Sequence, residues 1–124
     1  MPDSANKVAV VTGAARGIGF AIARRFLAER YCVALLDIDG ATLARADRTL
    51  DAPARVLAIE CDVAEPRQVD AAIAQVAARF GRIDALVNNA GIAVFKPLLE
   101  TSVEEWSRVL AVNLTGVWYC MKAE

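Results

Sequence analysis

Apolar positions along this chain switch repeatedly between short unbroken runs and stripes at helical spacing. Val8-Ala9-Val10-Val11 is a continuous run, which predicts a strand covered on both faces. Ile18, Ile22 and Phe26, with Ala23 and Leu27 beside them, follow a helical period and predict a helix to about Arg30. Cys32 to Leu36 repeats the two-sided strand pattern and stops at Asp37. A polar-faced helix with Leu43, Ala46 and Leu50 inward is predicted over 40–50. A third strand is predicted over 56–59, closing on Glu60-Cys61-Asp62-Val63. Pro66 suits the first turn of the next helix, where its missing N–H costs nothing. Val69, Ile73, Val76 and Phe80 stripe that helix, and Gly81 fits a left-handed stop just beyond it. Ile83 to Val87 predicts strand four, followed by Asn88-Asn89-Ala90-Gly91. Ser102 and Glu105 have capping-box spacing and start a helix predicted to run to the chain end. From Val109 onward that helix is apolar nearly all round, so burial on more than one side is expected.

Strand-helix units in series, with no linker or low-complexity segment between them, predict a parallel sheet with right-handed crossovers. The fold expected is a doubly wound α/β domain of strand order 3-2-1-4, one domain over residues 1–124.

Composition narrows the chemistry. Of the 124 residues, 25 are alanine and eight are aromatic, which favours helices packed closely on a sheet. There is no histidine, which removes Ser-His-Asp and Cys-His nucleophile systems and His-metal sites; no metal is expected. The 14 basic and 15 acidic side chains are scattered, giving no electrostatic footprint for nucleic acid or anionic lipid. No apolar stretch approaches the ~20 residues of a membrane span. Met1 to Lys7 lacks the basic-then-apolar order of a signal peptide. Cys32, Cys61 and Cys120 are odd in number and far apart, as expected of a reduced, cytoplasmic protein with free thiols.

The segment Thr12-Gly13-Ala14-Ala15-Arg16-Gly17-Ile18-Gly19 falls between strand one and helix one. Glycines there permit a tight turn and let backbone N–H groups approach a pyrophosphate, while the helix N-terminus supplies partial positive charge. An ordinary glycine-bearing turn has the same local pattern, and no Gly-Lys-Ser/Thr closes a nucleoside-triphosphate loop. Asp37 lies 18 residues after Gly19. That is near the ~20-residue offset at which a carboxylate accepts from the adenosine ribose hydroxyls. A carboxylate there repels a 2′-phosphate, which favours NAD over NADP. Arg16 points the other way, as a cation able to reach a 2′-phosphate from the turn, or it is a solvated surface arginine.

The glycine turn has three residues between its first two glycines rather than one. Together with Asp62-Val63, Asn88-Asn89-Ala90-Gly91 and Asn113, it resembles the short-chain dehydrogenase/reductase family, from Lys7 to about Lys122. The resemblance implies a Rossmann-type fold and hydride transfer between NAD(P) and an alcohol or carbonyl carbon. It implies cofactor-binding positions at Gly13, Arg16, Gly17, Ile18 and Gly19, with Asp37 on the ribose. Asp62 would hydrogen-bond the adenine amino group and Val63 would pack on the ring. Asn88 to Gly91 would brace strand four, with Asn89, Ala90 and Gly91 lining the cofactor cleft. Asn113 would be the asparagine of the family's Asn-Ser-Tyr-Lys set, helping to hold a water in the proton relay. Without the family, Asp62 reads as a turn cap, and Asn88 and Asn89 as loop residues bonding their own backbone. Trp106, Trp118 and Tyr119 read as core or interface side chains.

The family's serine and Tyr-x-x-x-Lys lie downstream of the asparagine matched by Asn113, and the chain stops 11 residues after it. Tyr119 and Lys122 are three apart, not four, and lie on the asparagine-bearing helix. Ser4, Ser102 and Ser107 do not fall where the family's serine belongs. The expectation is a Rossmann-type domain incomplete at its C-terminus, the cofactor-binding half of an oxidoreductase whose complete protein takes a small alcohol or carbonyl substrate. This chain alone is then inactive. The alternatives are a stand-alone NAD-binding module without catalysis and a degenerate fragment. Without a fifth strand, Ile83 to Val87 would be an apolar sheet edge, and Val117, Trp118 and Met121 would lie bare. Partial unfolding, aggregation or a homo-oligomer is expected to follow.

Overall fold

Unbroken apolar runs become strands buried on both faces, because helices cover both sides of one parallel sheet. The computed structural model describes residues 7–124. Of the Met1–Lys7 segment read as lacking a signal peptide's order, residues 1–6 lie outside the described residues. The strands are β1 (Val8–Thr12), β2 (Cys32–Asp37), β3 (Val56–Glu60) and β4 (Ala85–Val87), in the order β3-β2-β1-β4. Val8 pairs with Cys32 and Val11 with Leu35, while β4 joins the other side of β1 through Ala9–Ala85 to Val11–Val87. The predicted strand order is therefore the observed one.

Alternation along the strands divides the core in two. Val11, Val33 and Leu35 face α1 (Gly17–Ala28) and α2 (Gly40–Leu50), where Ala23, Leu27 and Leu43 meet them. Val8, Val10, Ala34 and Leu36 face α3 (Pro66–Phe80), where Val69, Ile73 and Val76 meet them. Pro66 sits in the first turn of α3, and Gly81 ends it in the left-handed region at φ 82°. No helix among the described residues is long and apolar enough to cross a membrane.

The structure departs from the sequence reading in two elements. Strand four begins at Ala85, not Ile83, because the Asp84 carboxylate accepts the Val8 N–H at 2.8 Å, a donor that a strand carbonyl would otherwise take. The last helix is not uniform. It runs as α4 (Val103–Leu110), a π-helical turn (Ala111–Thr115) and α5 (Gly116–Ala123). Its start is the expected capping box, with the Glu105 N–H donating to Ser102 Oγ and the Ser102 N–H donating to Glu105 Oε1. Burial is one-sided: Val112, Gly116 and Cys120 are buried, whereas Leu114, Trp118 and Met121 are more than half exposed. Gly116 permits the contact, since a Cβ there would stand 2.8 Å from Val63 Cγ2.

Candidate functional site

At the C-terminal edge of the sheet, the loops after β1, β2, β3 and β4 surround one cleft of about 530 Å³. In doubly wound folds this edge is where ligands bind.

The glycine turn forms its floor. Gly13 and Gly17 both take positive φ, 64° and 59°, which a side chain would strain. Gly19 is required for packing, because a Cβ there would overlap the Gly13 carbonyl oxygen and lie 2.5 Å from Asn89 Nδ2. The first turn of α1 has no side-chain cap and no acidic residue. Its unpaired N–H groups and the helix dipole leave that end open to an anion.

Asp37 stands against this turn. Its Oδ2 accepts the Ala15 N–H at 3.0 Å and its Oδ1 accepts the Asp39 N–H at 3.0 Å. Arg16 forms an ion pair with Asp39, which also caps α2 by accepting from the Thr42 N–H at 3.1 Å. The hydrogen bonds from Thr42, with Arg16 beside them, hold the Asp39 carboxyl below its ordinary value.

Across the cleft, Asp62 follows β3. Its Oδ1 accepts the Ala64 N–H at 3.0 Å, and its Oδ2 pairs with Arg108 Nη1 of α4 at 3.1 Å. A carboxylate has about four lone-pair sites, so a further donor can still be accepted. Cys61 is buried next to it, and burial, with Cys120 and Asp62 nearby, pushes its thiol up to about 12.

The far wall is the segment after β4. Thr12 Oγ1 accepts from both the Asn89 N–H (3.0 Å) and the Ala90 N–H (2.9 Å), which fixes this segment over the glycine turn. Asn89 Nδ2 donates to the Gly13 carbonyl at 3.2 Å. Asn113 then ties helix to loop, donating from Nδ2 to the Ile92 carbonyl at 2.8 Å and accepting the Ile92 N–H at 2.9 Å. Its side chain is not buried in the helix packing but engaged in this pair, and it lies within the π-helical turn.

The cleft brings together Gly13, Arg16, Ile18, Asp37, Asp62, Val63, Asn89, Ala90 and Gly91. Gly17, Gly19 and Asn113 do not line it: Gly17 faces open space, Gly19 packs behind the turn, and Asn113 stands behind Ile92. Sequence reasoning missed Arg108 and Asp39 as neighbours of the cleft, and gave Thr12 no role beyond opening the motif. Thr12 alone carried a signal, as a polar residue closing a two-sided strand. Lys122 lies over the Trp118 ring, 5.0 Å from its centroid, an arrangement unrelated to Tyr119.

A family model described as short chain dehydrogenase matches residues 7–124. Meso-2,3-butanediol dehydrogenase of Serratia marcescens is 41% identical over 117 residues, covering 94% of this chain and 46% of that protein. A short chain dehydrogenase/reductase from Burkholderia phymatum, solved in complex with NAD, superposes with a TM-score of 0.93 at 35% identity, covering 99% of this chain and 44% of that one. A blue fluorescent protein from a metagenomic library, solved with NADPH, has a TM-score of 0.87 at 36% identity, covering 94% and 49%. The chain spans about half the length of the curated relatives it matches.

Proposed function

The chain belongs to the short-chain dehydrogenase family, and on that premise we propose that residues 7–124 are the dinucleotide-binding unit of an oxidoreductase acting on alcohols or carbonyls. The observation that carries this reading is the 3.0 Å hydrogen bond from the Ala15 N–H to Asp37 Oδ2, which sets a ribose-side carboxylate against the glycine turn at the start of α1. The cradle suits a dinucleotide: Gly19 leaves no room for a Cβ, and the first turn of α1 carries no competing carboxylate. When bound, the nicotinamide supplies or takes the hydride.

The chain's own residues divide the remaining work. Gly13, Arg16, Gly17, Ile18 and Gly19 shape the phosphate end, and Asp37 accepts from the ribose. Asp62 receives the adenine amino group, with Val63 beneath it. Asn89, Ala90 and Gly91 form the wall on which the cofactor rests. Asn113 is a positioning residue here, because both ends of its amide are taken up by Ile92. The π-helical turn around it interrupts the regular i to i−4 backbone ladder at this position. NAD is the preferred cofactor because Asp37 meets any 2′-phosphate with like charge.

Proton transfer is assigned outside residues 7–124, so the 124-residue chain by itself is expected to bind cofactor and turn nothing over. Free thiols suit a reducing cytoplasm. A homo-oligomer covering Leu114, Trp118 and Met121 belongs to the same reading, and sedimentation tests it. The central test is a fluorescence titration with NADH. Saturable binding is expected, with Gly19→Ala weakening it roughly 100-fold, equivalent to ~2.7 kcal/mol. Equal affinity in the variant would overturn the assignment.

A further inference from the structure

The ribose end of the cleft carries one more charge arrangement than Asp37 alone. Asp37 has both carboxylate oxygens engaged by backbone N–H groups, from Ala15 and Asp39. Asp39 in turn is held rigidly. Its Oδ1 accepts from the Thr42 N–H, its Oδ2 accepts from Thr42 Oγ1 at 2.8 Å, and Arg16 Nη2 closes on the same Oδ2. Two residues line the cleft with a cationic side chain, Arg16 and Arg108, and Arg108 is paired with Asp62. Arg16 is therefore the cation placed at the glycine turn, and it is already neutralised.

We propose that Asp39 is a second cofactor-specificity residue, which disfavours NADP by holding Arg16 in an ion pair across the mouth of the ribose site. This rests on the reading above, that the cleft takes a dinucleotide with its ribose at Asp37. A phosphate on the 2′-hydroxyl then faces the Asp37 carboxylate in the cleft, with the Asp39 carboxylate two residues further along the chain. Drawing Arg16 onto that phosphate leaves Asp39 charged beside it with no partner, so the cation is recruited only against like-charge repulsion. The pair is solvent-exposed, with side-chain exposures of 67% for Arg16 and 37% for Asp39. Pairs of that kind contribute little to stability. Its consequence is in selection between ligands of different charge, where like-charge juxtaposition acts as the repulsive element.

Asp39→Asn is the discriminating variant, because an asparagine keeps the side-chain carbonyl that caps α2 and loses the charge together with the oxygen that pairs with Arg16. NADH and NADPH affinities are measured by fluorescence titration on the full-length protein, for the wild type, Asp39→Asn, Arg16→Gln and the double variant. Asp39→Ser, which also caps without charge, is the second variant should the first fail to fold. The wild type is expected to prefer NADH. In Asp39→Asn the preference for NADH over NADPH is expected to shrink by about tenfold, with NADH affinity held within roughly twofold. The double variant is expected to lose that gain, and raised salt to reduce it, since it is electrostatic and exposed. An unchanged NADH-to-NADPH ratio in Asp39→Asn overturns the proposal, as does a gain that survives in the double variant. A wild type that binds neither nucleotide instead overturns the dinucleotide reading itself.

Discussion

β2 and β4 flank β1 on opposite sides, both parallel to it, and they are built differently. β2 pairs along the whole of β1, from Val8–Cys32 to Thr12–Leu36, and Val33 to Leu36 are fully buried. β4 has three residues, all only half-buried. The helices repeat the contrast: α1 and α2 bury Ala23, Leu27, Leu43 and Ala46, whereas the helix beyond β4 leaves Leu114 66% and Trp118 52% exposed. On the β2 side apolar burial fixes the strands. On the β4 side long-range hydrogen bonds do it, through Asp84 to Val8, Thr12 to Asn89 and Ala90, and Asn113 to Ile92. Asn88 Oδ1 is buried on that side with no partner among the described residues. The cleft lies between the two regions, with the glycine turn and Asp37 on the apolar side and Asn89 to Gly91 on the hydrogen-bonded one.

The sharpest way to break this comparison is paired truncation. Leu35→Ala is expected to cost about 2–5 kcal/mol in denaturant unfolding. Leu99→Ala, at a side chain 98% exposed in the segment after β4, is expected to stay within about 0.5 kcal/mol, as exposed substitutions do. Equal costs would remove the contrast. Next in size is Thr12→Val, which keeps the shape and removes the acceptor for the Asn89 and Ala90 N–H groups. It is expected to cost about 2–3 kcal/mol by leaving those donors unsatisfied, and to weaken NADH binding as the wall loosens.

The smallest effect is a pH dependence at the start of α4. Lys96 and the capping box with Ser102 hold the Glu105 carboxyl at about 2, below its ordinary 4.5. A depressed carboxyl contributes its stability fully above the unfolded value, and that contribution is lost as pH falls through about 2. Helix content followed by circular dichroism during acid titration is expected to drop in that window. Glu105→Gln is expected to flatten the dependence.

Local rules made much of the fold legible on both sides of the cleft. Unbroken runs at Val8 and Cys32 gave two-sided strands, and Pro66, Gly81 and Ser102–Glu105 marked helix ends by the backbone groups that they satisfy or omit. The cleft's floor was legible for the same reason, since glycine positions report a backbone need directly. Its charge pairs were not. Arg108 meets Asp62 across 46 residues of chain, and Arg16 meets Asp39 across 23, so only the folded sheet brings them together. The π-helical turn escaped detection because apolar residues on every side of 109–121 leave no phase to read. The late start of β4 depended on a carboxylate taking a strand's donor, which periodicity does not register.

The most direct test of the cleft as a dinucleotide cradle is amide hydrogen exchange on the full-length protein with and without saturating NADH. Slowed exchange is expected at residues 13–19, around Asp37 and Asp62, and through Asn89 to Gly91, with the exposed stretch Phe95 to Leu99 unchanged. Protection confined to the β4 side, with the glycine turn exchanging as before, would contradict it.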